Sequence, residues 1–169
     1  MARTEIEHIV VPSIFDRLTD EAPRVSVDPQ VTRAESERAF RRSVERDVET
    51  LLNSRRTMHP APQGLPELRQ SVYDYGLIDT TGIPVGTKVG RERILAGLRE
   101  AITRFEPRML DPKIRLVDAD QVRSPQMRFV IEATLVMDRE REHVVFDTLL
   151  EVASGEYDVH EAGLPAAGA

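Results

Sequence analysis

The sequence predicts an α+β fold, with amphipathic helices packed on a mostly antiparallel sheet formed by the C-terminal half. Three observations predict it. Apolar residues recur with helical period in two long stretches before residue 106. After that point the period changes to two. Helices come first and strands afterwards, which is the order of a segregated rather than an alternating chain. With 169 residues, 40% of them hydrophobic, the chain is long enough to bury one core of its own.

A short helix is expected over 13–20. Ser13 suits the N-cap, Asp16 sits near the positive end of the helix dipole, and Ile14, Phe15 and Leu18 form an apolar stripe. Pro23 and Pro29 make 21–30 a linker or extended arm. Thr32 and Glu35 form a capping-box pattern. Beyond them Phe40, Val44, Val48, Leu51 and Leu52 fall on one face of a helix that ends near 53–56. Its other face (Arg38, Arg41, Arg42, Glu45, Arg46, Asp47, Glu49) reads as a solvated mixed-charge surface. Pro60, Pro62, Gly64 and Pro66 mark a loop, and 69–79 reads as a short strand or irregular packed segment broken at Gly76. A Gly-rich loop over 80–90 leads to a second strong helix at 89–105, carrying Ile94, Leu95, Leu98, Ala101, Ile102 and Phe105 on one face. Pro107 stops it at Glu106.

Strands are expected at 113–117, 126–138 and 143–152, the last two joined by a polar hairpin loop at 138–142, with a short further edge at 157–159. An edge near Val152 is where a partner strand could add. The chain divides into an N-terminal helix and arm (1–30), a single α+β domain (31–160) and a disordered tail (161–169).

Composition excludes several roles. The net charge of −6 and pI of about 5.3 leave no electrostatic footprint for nucleic acid or an acidic membrane surface. There is no cysteine, so disulfides, thiolate metal sites and a Cys nucleophile are ruled out. No signal peptide and no apolar membrane span are present, and a cytoplasmic location is expected. Lys88 and Lys113 are the only lysines among 23 basic residues. Genomic base composition accounts for most of that arginine excess, although arginine is also the cation favoured at protein interfaces.

No nucleophile elbow, phosphate-binding loop or dinucleotide fingerprint occurs. His8, His59, His143 and His160 are isolated from any metal-ligand spacing. Catalytic residues, metal ligands, cofactors and small-molecule substrates are therefore not expected. Glu106, beside apolar Phe105 at a helix end, is the best candidate acid for a two-carboxylate glycosidase. Pairing with Arg108 is the stronger reading, because buried charges are partnered. Two clusters stand out, Leu51-Leu-Asn-Ser-Arg-Arg56 and Phe105-Glu-Pro-Arg108, each at the end of a strong helix. Arg55 or Arg56 could reach Glu106 if the helices ran parallel, and would lie far from it if they ran antiparallel.

Within the longer stretches Asp47-Val-Glu-Thr-Leu-Leu-Asn-Ser-Arg-Arg56 and Phe105-Glu-Pro-Arg-Met109, and with Ser13-Ile-Phe-Asp-Arg-Leu18 and Ser71-Val-Tyr-Asp-Tyr-Gly-Leu77, those clusters occur in an order and spacing that resembles the TssE family, the small baseplate subunit of type VI secretion systems. The chain is also similar to the related wedge protein of contractile phage baseplates, often labelled lysozyme-like. The resemblance covers roughly residues 13 to 155. It implies a structural, non-enzymatic part that joins wedge subunits and meets the sheath. The residues it singles out for assembly are Glu106, Pro107 and Arg108, then Asn53 and Arg55, then Asp16, Arg17 and Leu18. Ser54 stands where the family usually has Thr, and Ile78-Asp79 where Pro-Asp is common. The readings that compete with it are a peptidoglycan glycosidase using Glu106 and a baseplate protein of a phage or extracellular injection particle.

Overall fold

The computed structural model describes residues 9–19, 24, 31–59, 61–117, 126–138 and 140–162. Three α-helices and four strands follow one another in the predicted order: α1 (Ile14–Leu18), α2 (Arg33–Asn53), α3 (Lys88–Phe105), β1 (Met109–Val117), β2 (Gln126–Met137), β3 (Glu140–Glu151) and β4 (Glu156–Glu161). The fold class is α+β, with a four-stranded antiparallel meander in the order β1-β2-β3-β4.

Local chemistry sets the helix starts. The Thr32 hydroxyl accepts from the Glu35 N–H while Glu35 accepts from the Thr32 N–H, a complete capping box. Ser13 and Asp16 form a second one ahead of α1. Thr87 caps α3 by accepting from the Gly90 N–H. α2 and α3 bury Val44, Val48, Leu51, Leu52, Ile94, Leu98, Ala101 and Ile102 against the inner face of the sheet. That face presents Phe129, Ile131, Leu135, Phe146, Leu150 and Val159. The alternate strand residues, among them Val130, Glu132, Val145 and Asp147, are half-buried on the open outer face. Arg56 on one side and Asp47 on the other meet Glu100 and Arg108 respectively, so α2 and α3 run antiparallel.

Several sequence expectations need correction. Of the two readings of 69–79, a short strand or an irregular packed segment, the strand is not formed: two 3-10 turns, Pro66–Gln70 and Val72–Asp74, occupy its first part. Extended pairing there is limited to a single bridge between Arg55 and Leu77. β1 starts at Met109, four residues earlier than expected, because Pro112 and a left-handed Asp111 (φ 50°) mask it. They cause the register shift between Leu110 and Lys113. The hairpin joining β2 and β3 is tight at Asp138 (φ 50°), and β3 begins at Glu140, inside the expected loop. Val152 lies in the turn after β3, an internal strand, so the sheet does not end there; β4 is the edge and extends to Glu161. The α1 stripe is not buried: Ile14, Phe15 and Leu18 are 77%, 63% and 80% exposed. Of the expected tail over 161–169, Glu161 instead ends β4 and the Ala162 N–H bonds the Val145 carbonyl, while 163–169 and the arm over 21–30 apart from Arg24 lie outside the described residues.

Candidate functional site

The end of α3 turns sharply into β1. The Glu106 N–H closes the helix on the Ile102 carbonyl (2.9 Å), and the Met109 N–H donates to the Glu106 carbonyl (3.1 Å). Residues 106–109 are thus a β-turn with Pro107 at its second position, where a fixed φ near −65° fits. The Arg108 carbonyl then accepts from the Val136 N–H (2.9 Å), which starts the sheet.

This turn folds the Arg108 side chain back on Glu106. Nε donates to Oε1 (2.6 Å) and Nη2 to Oε2 (2.5 Å), a bidentate pair that occupies both carboxylate oxygens. Nη2 also meets Asp47 Oδ2 of α2 at 2.7 Å, and Nη1 reaches the Ser43 hydroxyl at 3.4 Å. The guanidinium lies over the Phe40 ring, 5.7 Å from its centre. Glu106 is buried, and Arg108 is its ionic partner. Burial opposes the charge on Arg108, but the bonds and charges of Glu106 and Asp47 outweigh it and raise its pKa above the ordinary arginine value. Tyr75, edge-on to Phe105 at 5.3 Å, has its phenol pushed up by burial and by the nearby Asp47 and Glu106 charges.

The network continues to α1. Asp47 accepts from Arg46 (3.1 Å), and Arg46 donates to Asp16 (2.5 Å), whose carboxylate also takes the Ser13 hydroxyl (2.6 Å). The Arg46 guanidinium covers the Phe15 ring at 5.4 Å. One chain of charges therefore runs Asp16–Arg46–Asp47–Arg108–Glu106 across α1, α2 and the α3–β1 turn. Beside it lies a groove of about 410 Å³, with Phe15, Leu51, Tyr75, Phe105 and Pro107 among its walls.

The other motif residues separate from this cluster. Asn53, the last residue of α2, is bonded to the backbone of Tyr157 at 2.8 Å in both directions. Arg56 joins Asp74 and Glu100, and Arg104 bonds the same two carboxylates. Arg55, Arg17 and Leu18 are exposed. Antiparallel packing is what keeps Arg55 and Arg56 away from Glu106. The sequence alone assigns no role to Asp47, Arg46 or Asp74, although Asp47 and Asp74 lie inside the stretches that carry the resemblance. Asp47 and Arg46 lie on the charged face of α2, and only the position of Asp47 one turn before Leu51 places it beside the helix end that carries Arg108.

Among the described residues no group of three or more His, Asp or Glu side chains is arranged to hold a metal ion. None of the described helices is long and apolar enough to cross a membrane. Comparison with curated proteins and with solved structures gives no match. The family model for baseplate wedge protein gp25 matches residues 38–140, a span that starts in α2, includes the Asn53–Arg56 cluster and the Glu106–Arg108 turn, and reaches the start of β3. The chain belongs to this family, whose members serve as structural components of the baseplate in contractile injection machines.

Proposed function

We propose that this protein is a non-enzymatic baseplate subunit of a type VI secretion machine, which joins wedge subunits and contacts the sheath during assembly. The observation that carries this reading is the exposed apolar face of α1. Ile14, Phe15 and Leu18 point away from the chain's own core. Val10, just before them in the chain, is buried, with its N–H bonded to Ser36 Oγ (3.1 Å). An anchored segment leading into an outward-facing apolar helix is suited to docking in a groove on a partner. Arg17 and Leu18 supply its outer contacts, and Asp16 orients it through Arg46. Arg55 is the cation of its motif left facing solvent. Glu106, Pro107 and Arg108 act here by holding the α3–β1 turn, with the neighbouring groove as a second contact surface.

A glycosidase acid must be free to deliver a proton to a substrate oxygen. The engagement of both Glu106 oxygens with Arg108 supports a structural role instead.

Leu18→Asp tests the docking. The variant is expected to keep the thermal stability of the unsubstituted chain and to lose at least about tenfold in affinity for co-purified wedge subunits, since burying an unpaired carboxylate is strongly unfavourable. Undiminished capture of those subunits would overturn the proposal. Turnover of purified cell walls by the chain, abolished in Glu106→Gln, would overturn its non-enzymatic part.

A further inference from the structure

The outer edge of β4 is where this sheet would accept another strand, and a row of α2 side chains occupies that place. The Ala162 N–H bonds to the Val145 carbonyl (2.8 Å), which sets the alternation of the β3–β4 ladder. By that alternation the backbone groups of Tyr157, Val159 and Glu161 face away from β3. At Tyr157 both are met by one side chain. Asn53 Oδ1 accepts from the Tyr157 N–H, and Asn53 Nδ2 donates to the Tyr157 carbonyl, each at 2.8 Å. A side-chain amide thereby reproduces the two bonds of a neighbouring strand.

Two turns earlier on the same row of α2, Glu45 reaches around the edge. α2 packs on the inner face, whereas the His160 ring stands on the outer face, yet Glu45 Oε1 is 3.4 Å from its Nδ1. The eight-residue step from Glu45 to Asn53 rises about 12 Å and the three-residue step from Tyr157 to His160 spans about 10 Å, so the row of Glu45, Glu49 and Asn53 runs along most of β4. Between the two contacts, the backbone of Val159 faces outward.

We propose that Asn53 and Glu45 guard this edge against pairing with a second copy of the chain. The sequence of β4 itself identifies the occupant. Two β4 strands meeting antiparallel about Val159 place Asp158 of each opposite His160 of the other, because both are one residue from the centre. Opposed carboxylate and imidazolium groups attract across such a pair. The same two side chains already lie 3.0 Å apart within one chain, on the exposed face of the strand. β4 holds no proline or lysine and its register with β3 is unbroken, so apart from its short length and the carboxylates of Glu156, Asp158 and Glu161 the strand itself carries little that protects an edge. This inference is independent of how α1 and the Glu106–Arg108 turn dock.

The test is sedimentation of the full chain across a micromolar concentration series, for the unsubstituted protein, Asn53→Ala, Glu45→Ala and the double variant, with circular dichroism to confirm folding. The unsubstituted chain is expected to be monomeric and the double variant to dimerise at concentrations at least about tenfold lower. Adding Val159→Pro, which removes the central N–H, should abolish that dimer. A folded double variant that stays monomeric overturns the proposal. So does an unsubstituted chain that already pairs through β4, or a dimer that survives Val159→Pro. Should the double variant fail to fold, Asn53→Asp keeps the acceptor for the Tyr157 N–H and loses only the donor; unchanged association in that variant overturns the guard equally.

Discussion

At the scale of single residues, Arg108 carries the most weight. It satisfies a buried carboxylate, spans to a second helix and covers an aromatic ring. Arg108→Ala leaves Glu106 buried without its cation, and breaking a buried pair in this way costs about 3–5 kcal/mol. Chemical denaturation should show that loss, whereas Arg55→Ala, at an exposed position, should change stability by less than about 0.5 kcal/mol. Asp16 contributes through its charge. Burial opposes its ionisation, but hydrogen bonds from Ser13 and Arg46 prevail, so its folded pKa lies below the ordinary value of 3.8. A lowered folded value means the folded state binds the proton less well than the unfolded chain. Its stabilisation is therefore complete above 3.8 and is lost as pH falls through the lower folded value. Methyl resonances of Ile14 should report α1 coming away in acid, and Asp16→Asn should show the detached pattern already at neutral pH.

Among elements, the junction between α2 and the segment before α3 depends on a glycine. The Leu77 N–H donates to the Ser54 carbonyl (2.7 Å) and the Arg56 N–H to the Leu77 carbonyl (2.8 Å). That close pairing puts Gly76 at φ +103°, and a Cβ there would lie 2.3 Å from the Ser54 carbonyl oxygen. Gly76→Ala combines left-handed strain with a clash against backbone that has no flexible end to move, and should cost at least about 1–3 kcal/mol in an equilibrium unfolding experiment. The Tyr-Gly-Leu motif has its physical reason here. Asp74, two residues before Gly76, fastens the same junction to α3 through Arg104 (2.5 Å).

Over the whole molecule, helices and sheet share one core. Phe129 is completely buried within the single cluster that takes in α2, α3 and all four strands. Phe129→Ala should cost about 3–5 kcal/mol. Because no element has a core of its own, helical and near-ultraviolet signals should shift together in one transition. Two separated transitions would show that the helical and β layers unfold independently. The charge chain from Asp16 to Glu106 belongs to this scale as well, because its five members come from α1, α2 and the α3–β1 turn.

The fold class, the N-caps of α1 and α2, the inner faces of α2, α3, β2 and β3, and the end of α3 at Pro107 were all legible in the residue order. Each follows from local periodicity or from rules acting over three or four residues. Residue order was silent where structure depends on distant neighbours. The start of β1 is hidden in the sequence because a proline and a left-handed aspartate look like a break until β2 is present to pair across them. Asn53 is the last residue of α2, and nothing local to it announces that its amide bonds a backbone 104 residues away. Asp47 looked like one charge on a solvated face, and only the antiparallel approach of α2 and α3 set it against Arg108. Burial and charge partnership are properties of packed surfaces, so they take definite form only when the helices close over the sheet.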